Sequence, residues 1–263
     1  MKKIIALVLM LVMSLFAMTS CGTVDDVAAI TEAGKIVVGI TNYEPMDFKK
    51  EGSDKWVGFD AELAEQFAAS LGVRCEFVEI NWDNKVAELN TGAIDVIWNG
   101  MTASDKLGEQ IDFSTAYAKN AQVVVVKKGS SITKDGLKDV SVAVEKGSAG
   151  AIVVDEIIKP KTVNKLDKQL DALYEVAQGT SDVAVIDLTM AQSKLGKGEY
   201  ADLEILDGAQ YNDEVFAVGL RQKSNLTEKL NKFLKDKYAD GTMDALSAKY
   251  DSSIVINKAA FEE

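Results

Sequence analysis

One arrangement recurs in this sequence: a helix-period segment closed by glycine, then a short apolar strand opening near aspartate. Gly92, Asp95 and Val96 stand in the first copy, and Gly179, Asp182 and Val183 stand at the same spacing in the second. This weak internal repeat predicts two lobes of similar wiring. In the first half, KIVVGI (Lys35 to Ile40) reads as a buried strand. GFDAELAEQFAASLG (Gly58 to Gly72) follows with Phe59, Leu63, Phe67 and Leu71 every fourth residue, an amphipathic helix stopped by glycine. CEFVEI is a second strand, WDNKVAELNTG (Trp82 to Gly92) a helix with Asp83 as its cap, and IDVIW (Ile94 to Trp98) a third strand. Strands and helices alternating at this spacing predict parallel βαβ units.

The pattern restarts after AQVVVVKKG (Ala121 to Gly129), an apolar run long enough to pass from one lobe to the other. VSVAVEKGSAG gives a strand, a glycine turn and the start of a helix that Pro160 ends. Leu166, Leu170 and Leu173 predict a further helix, and DVAVID (Asp182 to Asp187) another buried strand. EVFAVGL (Glu214 to Leu220) reads as a second crossing strand, after which Leu226 to Tyr250 is mostly helical and returns to the first lobe.

Composition removes most enzyme chemistry. The 263 residues contain no histidine, so no Ser-His or Cys-His pair and no His-bearing zinc site is available. The acids are scattered and no cysteine cluster exists, so neither a metal nor a cofactor is expected. A pI near 4.7 argues against nucleic acid as a partner. A 47% hydrophobic share with 2 prolines is that of a chain with a packed core.

Residues 1–20 read as an export leader: Lys2 and Lys3, an apolar stretch from Ile4 to Met18, then small residues. Met18-Thr19-Ser20-Cys21 resembles a bacterial lipobox, which implies cleavage before Cys21 and lipid on its sulfur; a plain secretory leader is the alternative. Lipid chains there would anchor the protein durably at the outer face of a cell membrane. Residues 21–33 are then expected to be a tether. With Cys21 lipidated, Cys75 has no disulfide partner, and it is expected to act as a small apolar residue in its strand.

The order IVVGI, NYEPMDF, WVGFDAELAEQFAASLG, WDNKVAELNTGAIDVIWNGMTAS, IDFSTAY, VAVEKGS and DVAVID resembles the extracellular solute-binding proteins of amino-acid ABC importers over nearly all of Lys35 to Tyr250. The resemblance implies an α/β, two-lobed periplasmic-binding-protein-like fold (type II), with parallel-sheet lobes joined by two crossing strands. Lobe 1 is expected over residues 34–120 and 215–263, lobe 2 over 121–214, and the hinge near Lys119 to Val123 and Asp213 to Ala217. The implied protein is a monomer that takes an amino acid or close derivative in the cleft, delivers it to the membrane permease and catalyses nothing.

By the same resemblance, Asp187 matches the acid that binds the α-amino group, and Gly147, Ser148 and Ala149 match the stretch that takes the carboxylate. Thr102 shares that duty, and the backbone at Gly100 accepts from the ammonium. Tyr43 and Trp82 match the walls around the ligand side chain, with Asn99 near its far end. Strand-end physics points to the same segments, because ligands of open parallel sheets bind beyond the carboxyl ends of the strands. Asp187 ends an apolar strand and suits an ammonium. Taken alone, Asp187 and Ser148 read equally well as helix caps, Tyr43 and Trp82 as core or surface aromatics, and Glu44 and Asp47 as loop acids facing solvent. Trp98, inside its strand, is expected in the core.

The sequence departs from the family at one place. MTASDKLGEQIDFS puts Leu107 where the family carries an arginine that grips the ligand carboxylate, and only Arg74 and Arg221 occur in the chain. Lys106 offers a point charge without the planar fork. Either the carboxylate is held by Thr102, Ser148 and amides alone, or the ligand is not a free α-amino acid. Three classes of function therefore stand side by side: a binder of an amino acid or other small polar solute, a ligand-sensing receptor module, and a dehydratase-type enzyme marked by a pair of acids converging on the pocket.

Overall fold

Two crossing strands hold the two lobes together in the computed structural model, which describes residues 23–251 and 253–262. The leader over residues 1–20 and the lipidation site Cys21 lie outside the described residues. Lobe 1 begins with α1 (Asp26–Ala33), β1 (Lys35–Ile40) and a hairpin of β2 (Phe48–Lys49) and β3 (Trp56–Val57). α2 (Phe59–Ser70), β4 (Arg74–Glu79), a 3-10 turn at Trp82–Asn84, α3 (Lys85–Thr91), β5 (Val96–Ile97), α4 (Asp105–Gly108) and β6 (Asp112–Phe113) follow. β7 (Ala118–Lys127) crosses into lobe 2, built from β8 (Ser141–Glu145), α5 (Ala149–Ile152) with a π-helical extension to Ile158, β9 (Thr162–Leu166), α6 (Gln169–Gln178), β10 (Val183–Asp187) and α7 (Leu188–Lys194). β11 (Leu203–Phe216) crosses back to β12 (Gly219–Leu220), α8 (Leu226–Ala239), α9 (Thr242–Tyr250) and β13 (Val255–Ile256).

The lobe 1 sheet has the order β4-β1-β5-β12-β6, and the lobe 2 sheet the order β11-β7-β10-β8-β9, with β13 on β7. β1 runs parallel to β4 and β5, and β8 parallel to β9 and β10. Both sheets are nonetheless mixed and not purely parallel as expected, because the crossing strands enter them antiparallel: β7 against β10, and β12 against β5. Glu214, Val215 and Phe216 pair with Asn120, Lys119 and Ala118, so the two crossings form one antiparallel ribbon between the lobes.

The helix periodicity holds where it was strongest. Phe59, Leu63 and Phe67 of α2 are buried, and Phe67 packs on Trp98, which is itself in the core as expected. β9 was not foreseen. Leu166 closes this strand instead of opening a helix, because Thr162 to Leu166 pair with Ser141 to Glu145 along an exposed sheet edge whose residues show no apolar alternation.

The tether expected over 21–33 is corrected from Asp26 onward, where the chain is a helix docked on lobe 1. Ile30 is buried, and the Asp26 carboxylate pairs with Arg221 at 2.7 Å and accepts from Ser224 Oγ at 2.5 Å. A buried ion pair with a further hydrogen bond outweighs the polar surface of the helix and fixes it in place. Asp47, expected in solvent, is also buried, and accepts a 2.7 Å bond from Asn99 Nδ2. Cys75 is a half-buried free thiol on β4 whose pKa burial pushes up to about 12, which makes it inert.

Candidate functional site

A cavity of about 580 Å³ lies between the lobes, beyond the carboxyl ends of β5, β8 and β10. All nine residues singled out from the sequence line it: Tyr43, Trp82, Asn99, Gly100 and Thr102 from lobe 1, and Gly147, Ser148, Ala149 and Asp187 from lobe 2. The lobes meet around its mouth. Lys168 pairs with Glu79 at 2.6 Å, Lys194 pairs with Glu44, and Lys85 Nζ donates to Gly147 O at 2.8 Å.

Asp187 is the most elaborated group. It occupies the cap position of α7, yet its carboxylate makes no capping bond. Instead Oδ1 accepts from Asn120 Nδ2 at 2.5 Å and from Gln122 Nε2 at 2.6 Å, while Oδ2 accepts from Gln169 Nε2. Burial raises its pKa and these amides, together with the facing Tyr43 hydroxyl, oppose that shift. The Tyr43 hydroxyl is buried, faces Asp187 and completes no hydrogen bond of its own. Asn120 and Gln122 lie on β7, so the crossing strand itself holds the acid.

Glu214, on the returning crossing strand, shares that scaffold. Its Oε2 accepts from Gln122 Nε2 at 2.8 Å, Asn120 Nδ2 at 3.2 Å and Thr102 Oγ1 at 3.0 Å. Burial first, then repulsion from Asp187, pushes its pKa up. Glu145, at the end of β8, is buried too, and desolvation with repulsion from Asp187 raises it to about 8 against the opposing Lys85 charge.

Several predicted ligand groups already have partners. Ser148 Oγ donates to Glu145 O at 2.8 Å and accepts from Ala151 N at 3.1 Å, the capping role weighed from sequence. Thr102 gives its hydroxyl proton to Glu214, and its segment is fastened to β11 by Ala103 N to Val215 O at 3.0 Å. Asn99 spends its amide inside lobe 1: Oδ1 accepts from Thr41 N at 2.8 Å, and Nδ2 donates to Thr41 O at 3.2 Å. Gly100 N donates to buried Asp60 at 2.7 Å. At Gly100 φ is +54°, and an added Cβ would lie 2.6 Å from Tyr43 Cε1, so only glycine lets the aromatic wall close over the loop.

No arginine reaches the cavity. Arg221 lies at the far side of lobe 1 on Asp26 and Asp95. Leu107 lines the cavity and packs into the apolar cluster that contains Trp82 and Met101. Sequence reasoning missed Lys85, Glu145 and Glu214. Glu145 had a signal, since it ends a buried strand one residue before the glycine turn, and Lys85 had one in its spacing of three from Trp82, which places both on one helical face. Lys85 is only 5% exposed, its ammonium lies 4.8 Å from the Trp82 ring centre, and burial lowers its pKa to about 8. The lining holds six carboxylates (Asp83, Glu145, Asp155, Asp187, Asp213, Glu214) against three lysines (Lys85, Lys106, Lys165). The cavity is thus acidic. Among the described residues no group of three or more acids or cysteines is arranged to hold a metal ion, and no helix is long and apolar enough to cross a membrane.

Comparison with known proteins places this geometry. The profile of the bacterial extracellular solute-binding proteins, family 3, matches residues 36–253. The arginine-binding extracellular protein ArtP of Bacillus subtilis is 28% identical over 245 residues, 89% of this chain and 92% of the relative. An ABC uptake transporter substrate binding protein from Streptococcus pneumoniae, solved with bound histidine, superposes with a TM-score of 0.81 at 30% identity, covering 89% of this chain and 98% of the other. An ancestral amino acid-binding protein, a precursor of cyclohexadienyl dehydratase, superposes with a TM-score of 0.77 at 29% identity, covering 86% and 99%. The two-lobed α/β architecture is the one these structures share.

Proposed function

The chain belongs to the bacterial extracellular solute-binding proteins, family 3, and from that premise we propose that it is the substrate-binding component of an ABC importer. It closes its lobes over an amino acid or close derivative and presents the closed form to a membrane permease. The observation that carries this reading is Asp187. Its carboxylate is buried in the cleft, is held by three neutral amides and, among the described residues, pairs with no cation. An ammonium is the partner that satisfies it by a charge-assisted bond. Tyr43 and Trp82 are the aromatic walls, and Gly100, Thr102, Ser148 and Ala149 offer backbone groups to the ligand's charged end. The excess of carboxylates favours a ligand whose side chain is cationic, in keeping with the arginine and histidine in the relatives' names.

Closure follows from contacts the ligand makes with both lobes at once. The test is a thermal-shift screen of the exported chain, cleared of carried-over ligand by unfolding and refolding. The panel is the free L-amino acids, dipeptides, polyamines and small sugars. A selective ligand at a hundredfold excess over Kd adds about 2.7 kcal/mol of stability. A panel silent for amino acids and responsive elsewhere overturns the ligand class.

The protein is anchored through lipid on Cys21 at the outer face of the cell membrane and acts as a monomer. Cys21→Ala releases it into the medium, and retention on membranes would remove the anchor from this reading.

A dehydratase-type activity is the second reading, favoured by Glu145 and Glu214 converging on the cavity near Asp187. Binding without turnover is preferred because Asp187 and Glu214 are tied to the same two amides, which engage both acids as hydrogen-bond acceptors. Incubation with cyclic hydroxy acids, read by mass for loss of water, decides between the two.

A further inference from the structure

An α-amino acid carries a carboxylate as well as an ammonium, and the expected partner for it is absent from this cleft. Leu107 is apolar, Arg221 is committed to Asp26 and Asp95, Lys106 is exposed, and Lys165 is exposed and paired with Asp155 at 2.7 Å. Lys85 differs from all of these. It is buried, and its Nζ sits between the lobes, donating to Trp82 O at 3.1 Å and Gly147 O at 2.8 Å.

Both acceptors are neutral carbonyls, and among the described residues the ammonium joins no ion pair. An ammonium has three donors, so one remains to be filled. Burying a charge without a counter-ion is costly, which marks the site as one that an anion completes.

We propose that Lys85 is the carboxylate-binding residue of this protein, taking the place of an arginine on the segment of Leu107, and that its bond to Gly147 makes lobe closure depend on that carboxylate. The inference rests on the amino-acid reading above. The geometry is consistent in three ways. Gly147 begins the stretch expected to receive the carboxylate, and the Lys85 acceptor belongs to that glycine. The Trp82 ring lies beside the ammonium, so the ligand's charged end and its side-chain wall share one helical turn. Leu107 packs in the same apolar cluster as Trp82, so it brings no charge to the ligand from its own segment. Glu145 and Asp83 act on Lys85 through space without pairing with it and only partly oppose the lowering that its burial causes. A lysine is a point charge without a planar fork, so it accepts a carboxylate in more than one orientation.

The experiment compares each free L-amino acid with its carboxamide, which keeps the shape and removes the anion. It uses calorimetry on the refolded exported chain and on Lys85→Met and Lys85→Arg. In the unaltered protein the cognate amino acid binds at least about 100-fold more tightly than its amide, the scale of a buried charge pair losing one member. Lys85→Met reduces that ratio to within about threefold, mainly by weakening the acid, and Lys85→Arg restores it to above about tenfold. Lys85→Gln, which keeps a donor for the two carbonyls, replaces the methionine variant if the latter does not fold. A ratio unchanged by neutralising Lys85, or an equal loss for acid and amide, overturns the proposal and leaves the lysine a purely structural bridge. Amides or amines that bind where no free amino acid does overturn the amino-acid reading and this inference with it.

Discussion

Gly147 of lobe 2 lies against Asp83 of lobe 1 so closely that a Cβ on the glycine would stand 2.9 Å from Asp83 Cα and 2.6 Å from Asp83 Oδ1. The glycine also holds φ at +66°, a region L side chains rarely adopt. Gly147→Ala therefore obstructs the closed form itself. The backbone strain costs about 1 kcal/mol, while the obstruction falls on closure alone. Ligand affinity is expected to drop by more than about tenfold, with the unliganded melting temperature falling by only a few degrees. Equal affinity in a titration would show that the lobes do not close as tightly as Asp83 and Gly147 indicate.

Asp187→Ala tests the ammonium site. Removing the acid leaves the ligand's ammonium buried without a counter-charge, and affinity should fall by about 100-fold or more. The amides of Asn120, Gln122 and Gln169 lose an acceptor at the same time. Asn120 and Gln122 keep Glu214 as an acceptor, so the stranded donor is on Gln169 and costs roughly 1–3 kcal/mol in the unliganded fold, partly offset by removing a carboxylate whose burial already disfavours its charge. Calorimetry and melting curves separate the two effects. Unchanged affinity takes Asp187 out of the site.

The contrast between Asp187 and Lys85 explains how far the sequence was legible. A lone acid at the end of DVAVI stands out because strand ends of open α/β sheets face the cleft; taken alone it reads equally well as a helix cap, and the structure puts it in the cavity lining without a capping bond. Lys85 sits among the polar residues of a short helix and differs from its neighbours only through Trp82 three positions earlier. The allocation of hydroxyls was not legible either. Ser148 and Thr102 line the cavity as expected, but where each proton goes depends on Glu145 O and Glu214, which only the folded chain brings alongside. The tether expectation fails at α1 because its apolar face is a single buried Ile30, while its strongest attachment, Asp26 to Arg221, spans 195 positions of the sequence.

Leu107→Arg returns the guanidinium that the family resemblance places on this segment. Leu107 is half-buried at the edge of the cavity, so the longer side chain extends into the cleft at the loss of some apolar packing. A bidentate grip added to the proposed Lys85 contact should raise amino-acid affinity by about tenfold. The gain should vanish for carboxamides. Calorimetry with both ligand forms checks this, and no gain for any amino acid means the carboxylate lies elsewhere.

The unliganded protein should be least stable near pH 8. Glu145 is raised by burial from 4.5 to about 8, and Asp60 by burial from 3.8 to about 7. A carboxyl that holds its proton more tightly in the fold than in the unfolded chain contributes stability at low pH. That contribution is lost as pH rises through the folded value, here between about 4.5 and 8. Asp47, Asp187 and Glu214 are shifted the same way, each with burial as its first cause. Lys85 moves oppositely: burial lowers it from 10.5 to about 8, so the unfolded chain binds the proton more tightly over that interval. Stability then rises with pH from about 8 to about 9, above which the Cys75 thiol, raised by burial from 9.0 to about 12, offsets the lysine. Melting temperatures taken across this range should pass through a minimum. Glu145→Gln should flatten the acid arm and Lys85→Met the alkaline one, whereas a monotonic curve in the unaltered protein would show that these buried charges do not govern its pH response.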